Sequence, residues 1–415
     1  MIKIFLYITL NFFFVNNLIA HDPKNCDVLQ NYDFSGFNDW KEEIVNKSGE
    51  FGLDKSFVSE LIAPYEVNKR VIENDKCQPE FTLTFSEYIE KRNSDLRIQN
   101  GLKNKSKYSD LLNKIDNYYN VQSRFILSIW GLETAYGKIT GNYPVLESLL
   151  TMSYDERRRR YFTKELYNAL KILEQGHINV IDFKGSWAGA MGQNQFMPSS
   201  FLNYAQDFNN DGKKDIWTDT EDSLASIARY LQGVGSNKWD PNYTWGREVI
   251  PPENVKSLEP KLFIKREKGC LAVKKLSKKL PLNEFRLMNF KKMNGNSLDN
   301  LDINSYLLRM GREVIPPSNI KSLEPELFIK REKGCLAVKK LSKQLPLSKF
   351  RLMNFKKMNG NSLDNLDINS YLLRMGREEG DFRYFIVYDN YLNILSYNCS
   401  NYYGLSVGLL SDKFK

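Results

Sequence analysis

Within the run Ser128-Ile129-Trp130-Gly131-Leu132-Glu133-Thr134-Ala135-Tyr136-Gly137, one carboxylate shares a side with apolar residues. Ile126, Ile129, Trp130 and Glu133 fall at i, i+3, i+4 and i+7, one face of a 3.6-residue helix. Burial disfavours an ionised carboxylate, so Glu133 is expected to hold its proton toward neutral pH. A neutral carboxylic acid can protonate a leaving oxygen, the first demand of glycosidic bond cleavage. The same run also reads as a helix end whose glutamate pairs with a lysine or arginine.

A second dense motif spans residues 185–198. It sets Ser186, Trp187, Gln193, Asn194, Gln195 and Phe196 among five glycines and alanines, and glycine lets a ligand approach the backbone. Indole and phenyl faces suit sugar rings, while hydroxyl and amide groups suit hydroxyl and acetamido substituents. Arg157, Arg158, Arg159 and Arg160, followed by Tyr161-Phe162, concentrate positive charge suited to an anionic or peptide-bearing glycan, or form a solvated helix start. Asp207-Phe208-Asn209-Asn210-Asp211-Gly212 begins like an EF-hand loop with glycine sixth, so Asp207, Asn209 and Asp211 are candidate calcium ligands. The twelfth position is Thr218, so Asp219, Glu221 or Asp222 must close the set; an Asx-bonded turn is the alternative. With two histidines, His21 and His177, and no C-x-x-C pair, the chain lacks material for a zinc site or a Ser-His-Asp triad.

These groups need a helical frame. Trp40-Lys41-Glu42-Glu43-Ile44-Val45 and Phe57-Val58-Ser59-Glu60-Leu61-Ile62 read as amphipathic helices, as do residues 165–173 and 222–231. Tyr384-Phe385-Ile386-Val387-Tyr388 reads as a short strand and the C-terminal end as helix. The expected class is mainly α. The expected divisions are a signal peptide (1–20), an N-terminal helical domain (21–120), a catalytic core (121–245), two repeat copies (246–311 and 312–376) and a C-terminal segment (377–415).

Lys3 followed by a mostly apolar stretch, residues 4–15, and Leu18-Ile19-Ala20 resembles a secretory signal. The stretch is too short for a membrane span and no cysteine sits just after the expected cut, the next being Cys26, so an exported, periplasmic protein without a lipid anchor is expected. Five cysteines (26, 77, 270, 335 and 399) leave one thiol over in any disulfide scheme; Cys26 with Cys77, and Cys399 with Cys270 or Cys335, are the pairings considered. Residues 247–311 and 312–376 are two copies of one 65-residue unit that differ at six positions: 253/318, 255/320, 261/326, 279/344, 283/348 and 284/349. Each copy carries seven more basic than acidic residues, against +9 for the whole chain, so the remainder is net acidic. That distribution weakens a nucleic-acid reading. Gly-Arg-Glu recurs at residues 246, 311 and 376, the mark of a crossover duplication in which one copy belongs to the original fold.

In order along the chain, Cys77-Gln78-Pro79-Glu80-Phe81, the 131–137 run, Gly141-Asn142-Tyr143-Pro144, Arg157-Arg158, the 185–199 motif, the 211–217 loop and Tyr397-Asn398-Cys399-Ser400 closely resemble the lytic murein transglycosylase B family, glycoside hydrolase family 103. The resemblance implies a lysozyme-like (goose-type) helical core with flanking helices and a small β element around a glycan groove. It implies Glu133 as the single catalytic acid/base, with substrate contacts from Ser186, Gln195, Tyr161, Tyr397, Asn398 and Tyr403, and with Arg157 and Arg158 beside the groove. It also implies cleavage of the MurNAc-β-1,4-GlcNAc bond in peptidoglycan with formation of 1,6-anhydro-MurNAc ends, and no required cofactor. Some members carry a calcium loop where Asp207, Asn209 and Asp211 lie, and Asp222 is the fourth candidate ligand here. Here the family's single pass between core and tail is doubled. Two rival readings stay open: a hydrolytic muramidase, which needs a second carboxylate such as Asp155 or Glu147, and a non-catalytic peptidoglycan-binding protein.

Overall fold

The computed structural model describes residues 29, 32–76, 85–233, 238–250, 279–299, 301, 304–310 and 383–415, with two-residue strands at 314–315, 345–346, 356–357 and 369–370. The signal region, the 77–81 motif, Cys26, Cys77, Cys270, Cys335 and most of the second copy lie outside the described residues. Cys399 is disulfide-bonded, and its partner lies outside them too. Among the described residues no helix is long and apolar enough to cross a membrane.

Helices dominate. In chain order they are α1 (Phe37–Lys47), α2 (Lys55–Ile62), α3 (Lys69–Lys76), α4 (Phe85–Arg92), α5 (Asp95–Lys107), α6 (Ser109–Tyr119), α7 (Ser123–Thr134), α8 (Val145–Tyr154), α9 (Arg159–Glu174), α10 (Pro198–Tyr204), α11 (Thr220–Gln232), α12 (Leu282–Leu287), α13 (Asp389–Tyr397) and α14 (Asn401–Ser411). Asp54, Ser94, Asp219 and Ser400 begin helices by accepting a backbone N–H two or three residues on, the expected use of a short polar side chain at a helix start.

Two apolar cores form. One joins α1–α3 with α8–α10 through residues such as Trp40, Val58, Leu149 and Leu166. The other joins α6, α7, α11, α13 and α14 through Ile115, Ile129, Leu224, Ile394 and Leu405. The helices of the 21–120 region are thus shared between both cores, and the C-terminal segment packs on α7. Helix α7 departs from the one-sided helix expected of it. Residues 125–132 are all buried, because α5, α6, α11 and α14 pack around it and leave no solvated face.

The β part decides which copy belongs to the fold. Strand β3 (Gly246–Ile250), β4 (Leu280–Pro281), β5 (Lys291–Lys292), β6 (Asn304–Met310) and β7 (Arg383–Tyr388) form one sheet in the order β4-β6-β7-β3-β5. A separate small pair joins β1 (Tyr143–Pro144) to β2 (Lys184–Gly185). Strand β7 lies after both copies yet pairs antiparallel with β3 and β6 of the first, Val387 opposite Gly246 and Tyr306. The first copy therefore occupies the native place. The second reproduces the local pairings of the first at an offset of 65. Val314 faces Lys357 as Val249 faces Lys292, and Leu345 faces Ser370 as Leu280 faces Ser305.

Candidate active site

Glu133 stands in the last turn of α7, where the backbone leaves the helix abruptly. Ala135, Tyr136 and Gly137 are all left-handed, with φ of 51°, 63° and 79°. The N–H of Ala135 bonds the Gly131 carbonyl at 3.2 Å and that of Tyr136 bonds the Trp130 carbonyl at 3.2 Å, closing the helix end. The Tyr136 ring folds back over Gly131, where a Cβ would lie 2.6 Å from the ring; only glycine admits it. The Thr134 hydroxyl donates to the Gln193 carbonyl at 2.8 Å and accepts from the Gly137 N–H at 3.0 Å.

Those bonds tie α7 to the 185–199 motif. The Trp130 indole N–H donates to Gln193 Oε1 at 3.0 Å, and the Gln193 N–H donates to the Ile216 carbonyl at 2.8 Å. Buried Asn194 bonds the Ser223 carbonyl at 3.0 Å, and its own carbonyl accepts the Tyr397 hydroxyl at 2.6 Å. Gln195, left-handed at φ 52°, spends its amide N–H groups on the carbonyls of Thr140 (2.9 Å) and Gly192 (3.1 Å). Its Oε1 is not used in these bonds. Ser186 Oγ accepts the Ala190 N–H at 3.0 Å. Both Ser186 and Gln195 keep partial solvent access.

Glu133 itself is densely surrounded by protein yet retains partial solvent access. Burial raises its carboxyl above the ordinary carboxylate range; the Tyr403 hydroxyl and the positive charge of Arg92 oppose the rise. Tyr403 is 2% exposed, and its hydroxyl, turned toward Glu133, completes no hydrogen bond of full geometry among the described residues. The Tyr397 ring lies parallel to that of Tyr403 at 6.5 Å, and Tyr230 stands 4.7 Å from Tyr397. Burial and the nearby Glu133 carboxylate push both Tyr397 and Tyr403 well above the ordinary phenol range, so both remain neutral donors.

Other expected site residues lie farther out. Arg157 and Arg158 both donate to Asp75 of α3, Arg158 at 2.9 Å, so a buried carboxylate fixes the two guanidiniums. Tyr161 follows them on α9 and is 46% exposed; Asn398 is exposed just past α13. Among the described residues no second carboxylate acts on Glu133. Asp155 accepts from the Tyr32 hydroxyl at 2.8 Å and the Arg157 N–H at 3.0 Å, and Glu147 from the Asn68 amide at 2.9 Å. Buried Glu165 accepts the Ser199 N–H (2.8 Å) and hydroxyl (2.7 Å) at the start of α10. Thr134, Gln193 and Asn194 sit inside motifs already legible in the sequence, but Asp75 and Arg92 carry no such signal.

Of the calcium candidates, Asp222 stands in the first turn of α11. This fully buried residue accepts the N–H groups of Phe208 (2.7 Å) and Asp215 (2.8 Å), clamping the loop onto α11. Asp207 accepts from the N–H groups of Asp211 and Gly212 at 3.0 and 2.9 Å. The Asn209 amide nitrogen stands 3.1 Å from Asp219 and 3.5 Å from Asp211. Among the described residues no three acidic, histidine or cysteine side chains converge as a metal set; the further oxygen donors that a calcium loop uses are amide and backbone carbonyls.

The family model described as "Transglycosylase SLT domain" matches residues 36–311 and 324–412. The chain is 39% identical over 144 residues to the membrane-bound lytic murein transglycosylase B of Escherichia coli K12; the aligned stretch is 34% of this chain and only 40% of that protein. The fold is similar to that of SltB3 from Pseudomonas aeruginosa, solved in complex with NAG-anhNAM-pentapeptide. The identity is 28%, the TM-score 0.66, and the match covers 91% of this chain and 79% of that one. It is similar, at 21% identity and TM-score 0.60, to the Escherichia coli lytic transglycosylase Slt35 in complex with calcium, with 90% of this chain and 92% of that one covered. With a family match over most of its length, the chain belongs to the transglycosylase SLT domain family.

Proposed function

We propose that this chain is a peptidoglycan lytic transglycosylase, cutting the MurNAc-β-1,4-GlcNAc bond and leaving 1,6-anhydro-MurNAc ends. The observation that carries the reading is one carboxylate, raised in pKa by burial beside Tyr397 and Tyr403, on which no second carboxylate acts among the described residues. Protonated Glu133 gives its proton to the bridging oxygen as the C1–O bond breaks. The substrate's own acetamido group stabilises the electron-poor C1. Glu133, now a carboxylate, takes the proton of the C6 hydroxyl as that oxygen bonds C1. One carboxylate suffices because no water enters. A hydrolase needs a second group to position water, and Asp155, Glu147 and Glu165 are engaged elsewhere.

In this reading Tyr403 and Tyr397 line the floor beside Glu133, Ser186 and Gln195 hold sugar substituents, Tyr161 and Asn398 line the groove, and Arg157 and Arg158 meet the peptide or carboxylate groups of the glycan. The family match and the SltB3 complex support peptidoglycan as the partner. Export to the compartment that holds it rests on Lys3 and the apolar stretch at 4–15. Purified peptidoglycan incubated with the wild type should release soluble muropeptides. Glu133→Gln should slow release at least ~10²-fold, the usual worth of a general acid–base. Wild-type turnover by Glu133→Gln would sink the assignment.

A further inference from the structure

Helix α4 ends at a junction that the catalytic reading leaves without a role. Arg92, its last residue, donates from Nη2 to the Leu132 carbonyl at 3.0 Å, the peptide just before Glu133. The next residue, Asn93, donates from its amide to the Ser406 carbonyl of α14 at 3.1 Å, one turn beyond Tyr403. Arg97 holds the same corner from α5, donating from Nε to the Gly131 carbonyl at 3.0 Å and from Nη1 to the Arg92 carbonyl. The aromatic side of α4 meets α14 as well. Tyr402 packs against Phe85 at 5.4 Å and Tyr88 at 5.2 Å, and the Arg92 guanidinium lies 5.9 Å from the Tyr88 ring. The end of α4 therefore bonds both helices that bring Glu133 and Tyr403 together. Resting on the transglycosylase reading, we propose that Arg92 is a positioning residue for Glu133: it anchors the end of α7 and sets a fixed positive charge on the protein side of the carboxylate.

The charge acts through space and not as a contact ion pair. A single glutamate that must be acid first and base second needs an environment between two extremes. Burial alone would keep Glu133 protonated and make it a reluctant base. A contact ion pair would keep it ionised and remove the acid. Arg92 at a remove favours the carboxylate without fixing it there. Among the described residues, the charged and titratable groups facing Glu133 from the elements around it are Arg92 on α4, Tyr397 on α13 and Tyr403 on α14, and the two tyrosines stay neutral.

The test is the pH dependence of kcat/KM for muropeptide release by the full chain. Activity needs protonated Glu133 at the start, so its alkaline limb reports the ionisation of Glu133. Arg92→Gln should move that limb to higher pH, because the carboxylate has lost its favourable charge. Arg92→Lys keeps the charge and loses the Leu132 bond; it should lower Tm and leave the limb at the wild-type position. Arg97→Gln, which unseats the corner without removing the Arg92 charge, should likewise lower Tm and not move the limb. Should Arg92→Gln be insoluble, Arg92→Met, whose stem still packs on Tyr88, takes its place. A limb unmoved in the neutral variant, or moved equally in Arg97→Gln, overturns the proposal. If Glu133→Gln is inactive and the limb stays put, this inference alone fails; if Glu133→Gln retains activity, the parent reading fails with it.

Discussion

Glu133 is held at a cost that pH controls. Burial raises its folded-state pKa above that of the unfolded chain. Below the ordinary carboxylate range both states are protonated and the residue is neutral to stability. As pH rises the unfolded chain ionises freely while the folded state resists, so Glu133 increasingly destabilises the fold until pH passes its folded pKa. Glu133→Gln should therefore match the wild type in Tm at acidic pH and exceed it by a widening margin toward neutrality; a margin constant with pH would contradict the burial argument. The residue was legible in the sequence because three apolar neighbours share its helical face. Arg92 was not, since it lies 41 positions upstream and reaches α7 only through a tertiary hydrogen bond. Asp75 escaped for the same reason: nothing in the spacing of a lone aspartate announces that two arginines from the turn before α9 will close on it.

Among the elements, strand β7 discriminates between copies that are otherwise nearly interchangeable. The residues it pairs with, 246–249 and 305–310, recur unchanged at 311–314 and 370–375. Outside those strands the copies differ where it matters. Lys279 sits 3.4 Å from Asp389, just after β7, and its counterpart is Gln344. Glu284 sits in the first turn of α12, favourable to the helix dipole, and its counterpart is Lys349. Deleting 312–376 or 247–311 leaves a seamless Gly-Arg-Glu junction either way. Both shortened chains should fold and release muropeptides, with the first-copy chain more stable by up to about 1 kcal/mol in urea unfolding, since exposed ion pairs and helix-end charges contribute little each. Greater stability of the second-copy chain would contradict this account of the sheet. Helices α1, α2, α9 and α11, and the strand at β7, could be read from periodicity alone. The partners of β7 could not, because two identical sets of edges were on offer and pairing across so many residues leaves no local trace.

At the scale of the whole molecule, the fold is a frame that brings four distant segments to one carboxylate. Helix α7 carries Glu133, and the 185–199 motif bonds its last turn. Helices α13 and α14 bring Tyr397 and Tyr403 from the far end of the chain, while α4 bonds α7 and α14 together. The duplicated module enters between core and tail, yet β7 returns to the first copy and α14 still reaches α7. Glu133, Tyr397 and Tyr403 are therefore brought together in spite of the second copy. The account turns on Glu133 working without water. The measurement that tests this most directly is digestion of purified peptidoglycan in oxygen-18 water, followed by mass spectrometry of the released muropeptides. The account predicts anhydro ends carrying no label, absent with Glu133→Gln. Reducing ends carrying one labelled oxygen would make the protein a hydrolase and contradict it.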